Sequence, residues 1–107
     1  MVTFTTIDVS GTAPARRVAV QIGGVSYDLR FRWLARAERW VVDLFAADGS
    51  PIVTGTGASA SWMLWRWFYG PRRPAGEIFF FDSTATGAPI AFDDFSNGRI
   101  AVCVVEA

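Results

Sequence analysis

Residues 25–44 decide the fold, and they read Val-Ser-Tyr-Asp-Leu-Arg-Phe-Arg-Trp-Leu-Ala-Arg-Ala-Glu-Arg-Trp-Val-Val-Asp-Leu. Up to Trp33, apolar and polar residues alternate strictly, which is typical of a strand with one buried face. A polar bend follows, and pairing Trp33 with Trp40 across it fixes the register of a hairpin. That register sets apolar against apolar and opposite charge against opposite charge, in the pairs Phe31 with Val42, Leu29 with Leu44, and Arg30 with Asp43. The stretch therefore predicts a β-hairpin.

The strand before this hairpin follows from residues 18–22, where apolar residues alternate up to Gly23-Gly24. That dipeptide accepts the positive φ values of a two-residue hairpin turn. The predicted pairs across it are Ile22 with Val25, Val20 with Tyr27, Val18 with Leu29, and Arg17 with Arg30. The last pair joins two like charges, which we expect Asp43 to relieve from the far side.

The strand after the hairpin is predicted from the turn signal Asp48-Gly49. A tight turn there sets Leu44 opposite Val53 and Phe45 opposite Ile52, so the apolar face stays in phase. Pro51 fits the first residue of a strand, where a missing N–H is tolerated. With this strand the pattern becomes a four-stranded meander.

Three further strands are predicted outside the meander, at residues 2–9, 76–82 and 100–105. The first is β-prone and followed by a linker with Gly11 and Pro14, which favours the edge of a sheet. The second contains a continuous apolar run, which predicts a strand buried on both sides. In the loop before the third strand, Ile90 and Phe92 are expected to contact the core.

Short strands with regular turn signals make the predicted fold class all-β: a small antiparallel barrel or sandwich of six to seven strands built on a meander. A chain of 107 residues can bury one core, so we predict a single β domain over residues 1–107. Within it, residues 1–16 are the N-terminal strand and linker. No apolar run approaches the ~20 residues that a membrane span needs, and the first ten residues lack the features of a cleaved signal.

The composition points to a protein that hides surface in an assembly. It is 51% hydrophobic and 15% aromatic with only 19% charged residues, which leaves an apolar surplus for a partner. Ten basic residues, all arginine, balance ten acidic ones. This neutrality argues against a dedicated nucleic-acid or anionic-membrane binder. Cys103 is the only cysteine, so no intrachain disulfide forms, and its apolar surroundings predict a packed thiol.

No catalytic, metal or cofactor site emerges from the sequence. Without histidine, acid–base chemistry would fall to carboxylates, and Asp93 and Asp94 are adjacent, so they point apart as solvated loop residues. Ser59 and Ser61 have no visible base partner. One cysteine and scattered acids give no metal-ligand spacing. Residues 55–57 resemble a phosphate loop only in composition, because neither a helix nor a lysine follows.

The densest aromatic stretch, residues 62–69, precedes a rigid basic turn, Gly70-Pro71-Arg72-Arg73-Pro74. Both faces of a strand here would be apolar, so a doubly covered strand and a short helix both stay open. Core packing of the tryptophans, a protein interface, and stacking on bases or sugars are also open. Aromatic and arginine enrichment is the composition of interface hot spots. The candidate interface residues are Trp62, Trp65, Arg66, Trp67, Phe68, Tyr69, Arg72 and Arg73.

Several motifs follow one another in a characteristic order from about Gln21 onward. They are Tyr27-Asp28-Leu29-Arg30-Phe31-Arg32-Trp33, Arg39-Trp40-Val41-Val42-Asp43-Leu44-Phe45, Asp48-Gly49-Ser50-Pro51-Ile52 with Gly55, Pro74-Ala75-Gly76-Glu77-Ile78-Phe79-Phe80-Phe81-Asp82 with Pro89, and Gly98-Arg99-Ile100-Ala101-Val102. Each motif alone is widespread, and the specificity lies in the succession. This order, over roughly four fifths of the chain, resembles the small phage baseplate plug family of contractile tails.

The resemblance implies a non-enzymatic virion structural protein, seated in the baseplate hub at the centre of the tail and assembled in the host cytoplasm. It implies contacts with hub and tape-measure proteins, as a homotrimer or as three copies on a trimeric hub. The family offers no catalytic residues or cofactor to transfer. The alternative is a small β-barrel module that binds single-stranded nucleic acid or glycan through the Trp-rich stretch.

Overall fold

The chain folds into two antiparallel sheets. The computed structural model describes residues 2–65, 68 and 70–106. Its strands are β1 (Thr3–Ile7), β2 (Ala15–Ile22), β3 (Val25–Leu34), β4 (Arg39–Ala46), β5 (Pro51–Gly57), β6 (Glu77–Asp82) and β7 (Ile100–Glu106). The four-stranded sheet has the order β2-β3-β4-β5 and the three-stranded sheet the order β1-β7-β6. The all-β prediction is confirmed, and the arrangement is sandwich-like rather than a closed barrel.

The four-stranded sheet has the register predicted for its first three strands. Trp33 pairs with Trp40, and the three pairs predicted along with it are present. All four pairs predicted between β2 and β3 are also present. Gly23 and Gly24 have φ values of 61° and 78°, as a two-residue hairpin turn requires. Local turn geometry therefore fixes this part of the fold.

The predicted register of β5 is correct at one pair and wrong at the next. Leu44 pairs with Val53, but Phe45 pairs with Pro51 rather than with Ile52. The physical reason is irregular pairing on both sides of Leu44, where β5 bulges relative to β4. Gly55, with a φ of 74°, lies in one of these bulges, and its N–H donates to Asp43 Oδ1 at 2.8 Å.

The three-stranded sheet joins distant parts of the chain. β7 lies in the middle, and β1 is an edge strand, as predicted. Thr3 lies opposite Glu106, and Ile7 lies opposite Val102. On its other side β7 pairs with β6, from Glu77 opposite Val105 to Asp82 opposite Ile100. No turn links β1 to β7, so this pairing depends on tertiary contacts.

The core lies between the inner faces of the two sheets. The fully buried side chains from the strands are Ile22, Leu29, Phe31, Trp40, Val42, Leu44, Ile78 and Phe80. Connecting segments add further buried residues, among them Ile90 and Phe95. Phe92 stacks on Trp40 with ring centroids 5.5 Å apart. The loop before β7 thus contacts the core through Ile90 and Phe92, as the sequence predicted.

Burial in β6 differs from the prediction. Ile78 and Phe80 are fully buried, but Phe81 is 54% exposed and Phe79 is half-buried. The strand was predicted to be buried on both sides, and this is wrong because no second layer of the described chain covers its outer face. Cys103, on the neighbouring β7, is a buried free thiol, as predicted.

Candidate partner interface

The described part of the aromatic stretch is neither a strand nor a helix. It makes turns and one isolated bridge, between Met63 and Phe79. The Ser61 N–H donates to the Phe80 carbonyl and the Leu64 N–H to the Ile78 carbonyl, both at 2.8 Å. Because these two acceptors alternate along β6, the segment lies against the free edge of that strand and satisfies its carbonyls.

Trp65 lies in the core, with 1% of its surface exposed. The backbone N–H of Trp65 donates to Glu77 Oε1 at 2.8 Å, and the same oxygen accepts the backbone N–H of Ile78 at 3.1 Å. Oε2 of Glu77 pairs with Arg73 Nη2 at 3.1 Å. Glu77 therefore ties the aromatic stretch and the basic turn to the start of β6. For Trp65 the structure supports core packing among the open interpretations.

The other candidate interface residues lie in different surroundings. Phe68 is half-buried and packs against the core. Trp62 is 56% exposed and lines an open groove of about 580 Å³. The rest of the groove is formed by residues 37–39, 57–60 and 87–90. Arg66, Trp67 and Tyr69 lie outside the described residues.

Arg72 lies at the other end of the molecule from this groove. Its Nη2 donates to Ser50 Oγ at 3.0 Å and its Nη1 to the Pro51 carbonyl at 3.3 Å, which places it at the beginning of β5. Trp62 lines the groove beside Gly57, at the end of β5. Pro51 and Gly57 are six residue steps apart along β5, about 20 Å. The structure therefore does not bring Trp62 and Arg72 into one patch.

A stacking platform for bases or sugars needs neighbouring exposed rings. Within the described part of residues 62–69, Trp62 is exposed, Phe68 is half-buried and Trp65 is buried. One exposed ring beside a buried one does not form such a platform. Among the described residues of this stretch, the geometry therefore shows no such platform.

An apolar surface that sequence reasoning missed covers the three-stranded sheet on its outer side. We call it the apolar outer face; its residues are Phe4, Thr6, Phe79, Phe81, Ala101, Cys103 and Val105. Phe4 is 63% exposed and Phe81 54% exposed. The signal was hidden because residues 78–81 are apolar at both parities, so that period-2 alternation could not reveal the exposed side.

The outer side of the four-stranded sheet is covered by ion pairs instead. Asp28 Oδ2 bridges Arg17 Nε at 2.8 Å and Arg30 Nε at 3.2 Å. We expected Asp43 to relieve this pair of arginines, but its carboxylate binds Arg32 with two hydrogen bonds, of 2.7 and 3.1 Å. Asp28 is the direct partner of both arginines because it lies beside them, and Asp43, opposite Arg30, relieves the pair only at longer range through its charge interaction with Arg30.

Burial by itself would raise the pKa of Asp43. The hydrogen bonds from the Arg32 guanidinium and the Gly55 N–H, with the positive charges of Arg32 and Arg30, outweigh that effect and lower the pKa. Arg30 also lies over the ring of Phe45, with its guanidinium carbon 3.9 Å from the centroid. The charges on this face therefore have partners within the chain.

Two buried carboxylates hold the loop of residues 83–99 to the three-stranded sheet. Asp82 accepts hydrogen bonds from the Thr84 hydroxyl (2.6 Å) and the Gly87 N–H (2.9 Å). Arg99 pairs with Asp82 at 3.3 Å and with Asp94 at 2.6 Å. The hydrogen bond from the Thr84 hydroxyl is the main reason why the pKa of Asp82 lies far below its ordinary value. We call this arrangement the Arg99 clamp.

The two adjacent carboxylates of the loop therefore differ. Asp93 is exposed, whereas Asp94 is 5% exposed and paired with Arg99, so the prediction of two solvated loop carboxylates is wrong for Asp94. In residues 2–65, 68 and 70–106, no group of three or more His, Cys, Asp and Glu residues could hold a metal ion. The same ranges contain no helix long and apolar enough to cross a membrane.

Comparison with known proteins agrees with the order of sequence motifs. A family model described as "Cyanophage baseplate Pam3 plug gp18" matches residues 4–107. The chain belongs to this baseplate plug family. As a member, it is a structural component of a phage tail that associates with other baseplate proteins. No curated protein matches the sequence.

Proposed function

We propose that this chain is a non-enzymatic plug of a contractile-tail baseplate, seated in the central hub and in contact with hub and tape-measure proteins. The observation that carries the proposal is the match of the plug family over residues 4–107. The apolar outer face agrees with it, because a protein that assembles with others keeps apolar surface for its partners. The plug is a component of the virion baseplate and assembles in the host cytoplasm.

The partner contacts are proposed at two separate places. One is the groove with the exposed Trp62, since a tryptophan at a concave site is a typical interface anchor. The other is the turn with Arg72 and Arg73, since arginine suits interfaces through its planar donors. Arg66, Trp67 and Tyr69, which lie between these two places in the sequence, remain proposed contact residues as well. Trp65 contributes indirectly, because its burial holds the stretch on β6.

The copy number follows from the symmetry of the proposed location. A hub with three-fold symmetry accommodates three copies, either as a homotrimer or as single chains on a trimeric hub. Two separate contact regions on one chain fit such a ring, because a heterologous interface uses different surfaces on neighbouring molecules.

The test is sedimentation velocity of the purified chain, alone and mixed with the hub and tape-measure proteins of its own genome. We expect a stoichiometric complex with at least one of them. Trp62→Ala and Arg72→Ala should each weaken it, because both side chains lie in the proposed contact regions. Thr12→Ala is the control, since Thr12 is exposed between β1 and β2 and neither lines the groove nor contacts Arg72. A chain that ignores both proteins would overturn the proposed function.

A further inference from the structure

The four sheet edges of the described chain differ in how they resist pairing with another strand. The edge strand β2 follows Pro14 and carries two arginines, and β5 begins with Pro51 and contains bulges. The edge of β6 is occupied by residues 61–64. Charges, prolines, bulges and covering segments are the usual protections of an edge strand.

The edge of β1 has none of these protections. Its sequence, Thr-Phe-Thr-Thr-Ile, contains no charge and no proline, and it pairs with β7 over five consecutive residues without a bulge. In the part of the chain that the structure describes, no strand lies on its other side. Every second N–H and C=O of β1 therefore points away from the sheet, ready to pair with an added strand.

The side chains of β1 indicate what an added strand would present. Phe4 and Thr6 belong to the apolar outer face, and Phe4 is 63% exposed. An added strand would extend this face by one more strand. The residue directly opposite Phe4 on the added strand would then contact the Phe4 side chain. Apolar residues at every second position would bury Phe4 and continue the row formed by Val105. The occupant is thus an extended segment with apolar alternation.

The charges near the two ends of β1 restrict the occupant further. Asp8 follows the strand, and Glu106 lies opposite Thr3 at its start. Asp8 accepts hydrogen bonds from Ser10, and Glu106 accepts one from the Gly23 N–H; neither forms an ion pair with a described arginine. The Glu106 side chain thus lies toward Gly23 and Gly76, away from β1, whereas Asp8 makes the other end of the edge acidic. A basic residue at the end of the incoming segment that meets Asp8 would complement it.

A second copy of this chain fits the edge less well. Antiparallel pairing of β1 with itself would place Asp8 of each copy beside the start of the other β1. The residues at that position are Val2, Thr3 and Phe4, none of which is basic. Self-pairing would therefore leave both Asp8 carboxylates without a positive partner, which a segment with a basic end supplies.

We propose that an extended segment of another tail protein, apolar at alternate positions and basic at the end that meets Asp8, adds to β1 as a fourth strand of the three-stranded sheet. This inference rests on the proposed function, because it supposes that tail proteins are the partners. It adds the mode of binding, which is main-chain pairing at one strand edge, and the chemistry of the segment that binds.

Hydrogen exchange in the complex with the hub or tape-measure protein of the same genome tests the pairing directly. The outward-facing amides of residues 3–7 should gain at least tenfold protection, whereas those facing β7 are already protected in the free chain. Proline variants Thr5→Pro and Thr6→Pro sharpen the assignment. Adjacent residues face opposite sides of the strand, so only the variant at the outward position should fold normally and lose the complex.

Side-chain variants provide a matched pair. Phe4→Lys places a charge on the edge and should weaken the complex at least tenfold, while Ala19→Lys on the protected edge of β2 should change affinity less than twofold. Circular dichroism checks that both variants fold, and Phe4→Ser replaces Phe4→Lys if the latter does not.

The outcomes separate this inference from the proposed function. A complex that forms without added protection at residues 3–7, and with full affinity for Phe4→Lys, would overturn the strand addition while leaving the plug role intact. No complex with either protein would overturn the proposed function and with it this inference. Protection that arises from dimers of the free chain would identify a second copy as the occupant and contradict our choice of partner.

Discussion

The two sheets share one core but differ on their outer sides. On the outer side of the four-stranded sheet, Asp28 pairs with Arg17 and Arg30, and Asp43 pairs with Arg32. The three-stranded sheet exposes Phe4 and Phe81 instead. The outer side of the four-stranded sheet therefore presents charged side chains to water, whereas the outer side of the three-stranded sheet presents apolar area to water. The structure thus distinguishes the two outer sides of the sandwich, whereas composition alone shows only that an apolar surplus exists.

Two neighbouring phenylalanines of β6 provide the strongest test of the difference between the inner and outer sides of the sheets. Phe80 is fully buried between the sheets and Phe81 is 54% exposed on the apolar outer face. Phe80→Ala should lower the free energy of unfolding by about 3 to 5 kcal/mol. Phe81→Ala is the control with the same chemistry and should cost well under half of that. Urea denaturation measures both, and equal losses would contradict the two-sided description of β6.

A core substitution on the other sheet tests whether the inner sides are equivalent. Leu29 and Leu44 form a buried pair on β3 and β4. Replacing either by Ala should cost about 2 to 5 kcal/mol in chemical denaturation, because it leaves a cavity. Ser26→Ala, at an exposed position of β3, is the control. A negligible loss at Leu29 would contradict the register of the hairpin.

The ion pairs of the four-stranded sheet should contribute less than its core. Asp43→Ala leaves the Gly55 N–H and the Arg32 guanidinium without their acceptor, which should cost about 1 to 2 kcal/mol. Arg32 is 47% exposed, so solvent screens its charge and keeps the effect modest. Asp93→Ala, at an exposed acid, serves as the control. A loss as large as that of Phe80→Ala would show that this face is more than a polar covering.

Acid should weaken the Arg99 clamp of the three-stranded sheet. The pKa of Asp82 is lower in the folded chain than its ordinary value of 3.8. The carboxylate therefore adds stability above about pH 4, and this contribution is lost as the pH falls toward the folded pKa. In urea titrations, wild type should lose its advantage over Asp82→Asn between about pH 4 and pH 2. An advantage that is constant over this range would contradict the assignment.

The smallest expected effect concerns the apolar outer face itself. Phe81→Ser should change the free energy of unfolding by less than about 1 kcal/mol, since the side chain is largely exposed. It should nevertheless reduce concentration-dependent self-association in sedimentation velocity, because less apolar area faces water. Thr54→Ser, at an exposed position of β5, is a conservative control. Unchanged association would mean that this face does not drive contacts between free chains.

The sequence was sufficient for the four-stranded sheet because its pairings are local. Gly23-Gly24 and the bend after Trp33 each fix a register within a few residues, and period-2 alternation then extends it. The error at Phe45 arose where β5 bulges, since the prediction carried an unbroken register outward from the Asp48-Gly49 turn and a bulge shifts that register by one residue.

The three-stranded sheet could be predicted only in part. Its strands were found, but the pairing of β1 with β7 joins the two ends of the chain, and no turn signal specifies it. The exposed side of β6 was masked because Phe79, Phe80 and Phe81 look alike in sequence. Trp65 is buried where its backbone N–H donates to Glu77, twelve residues away, and no local pattern signals this contact. Candidate interface residues therefore could not be divided into core and surface before the fold was known.

The pairing of the first and last strands has a mechanical consequence. Thr3 lies directly opposite Glu106 and the strands run antiparallel, so a pulling force applied between these two residues loads the hydrogen bonds one pair at a time. The hydrogen bonds between β1 and β7 then break one after another from Thr3 toward Ile7. They do not share the load, as they would if the two strands were pulled apart along their length. A plug that is pulled by these two strands yields at low force, whereas one that is pushed across its sandwich faces carries the load on its packed core.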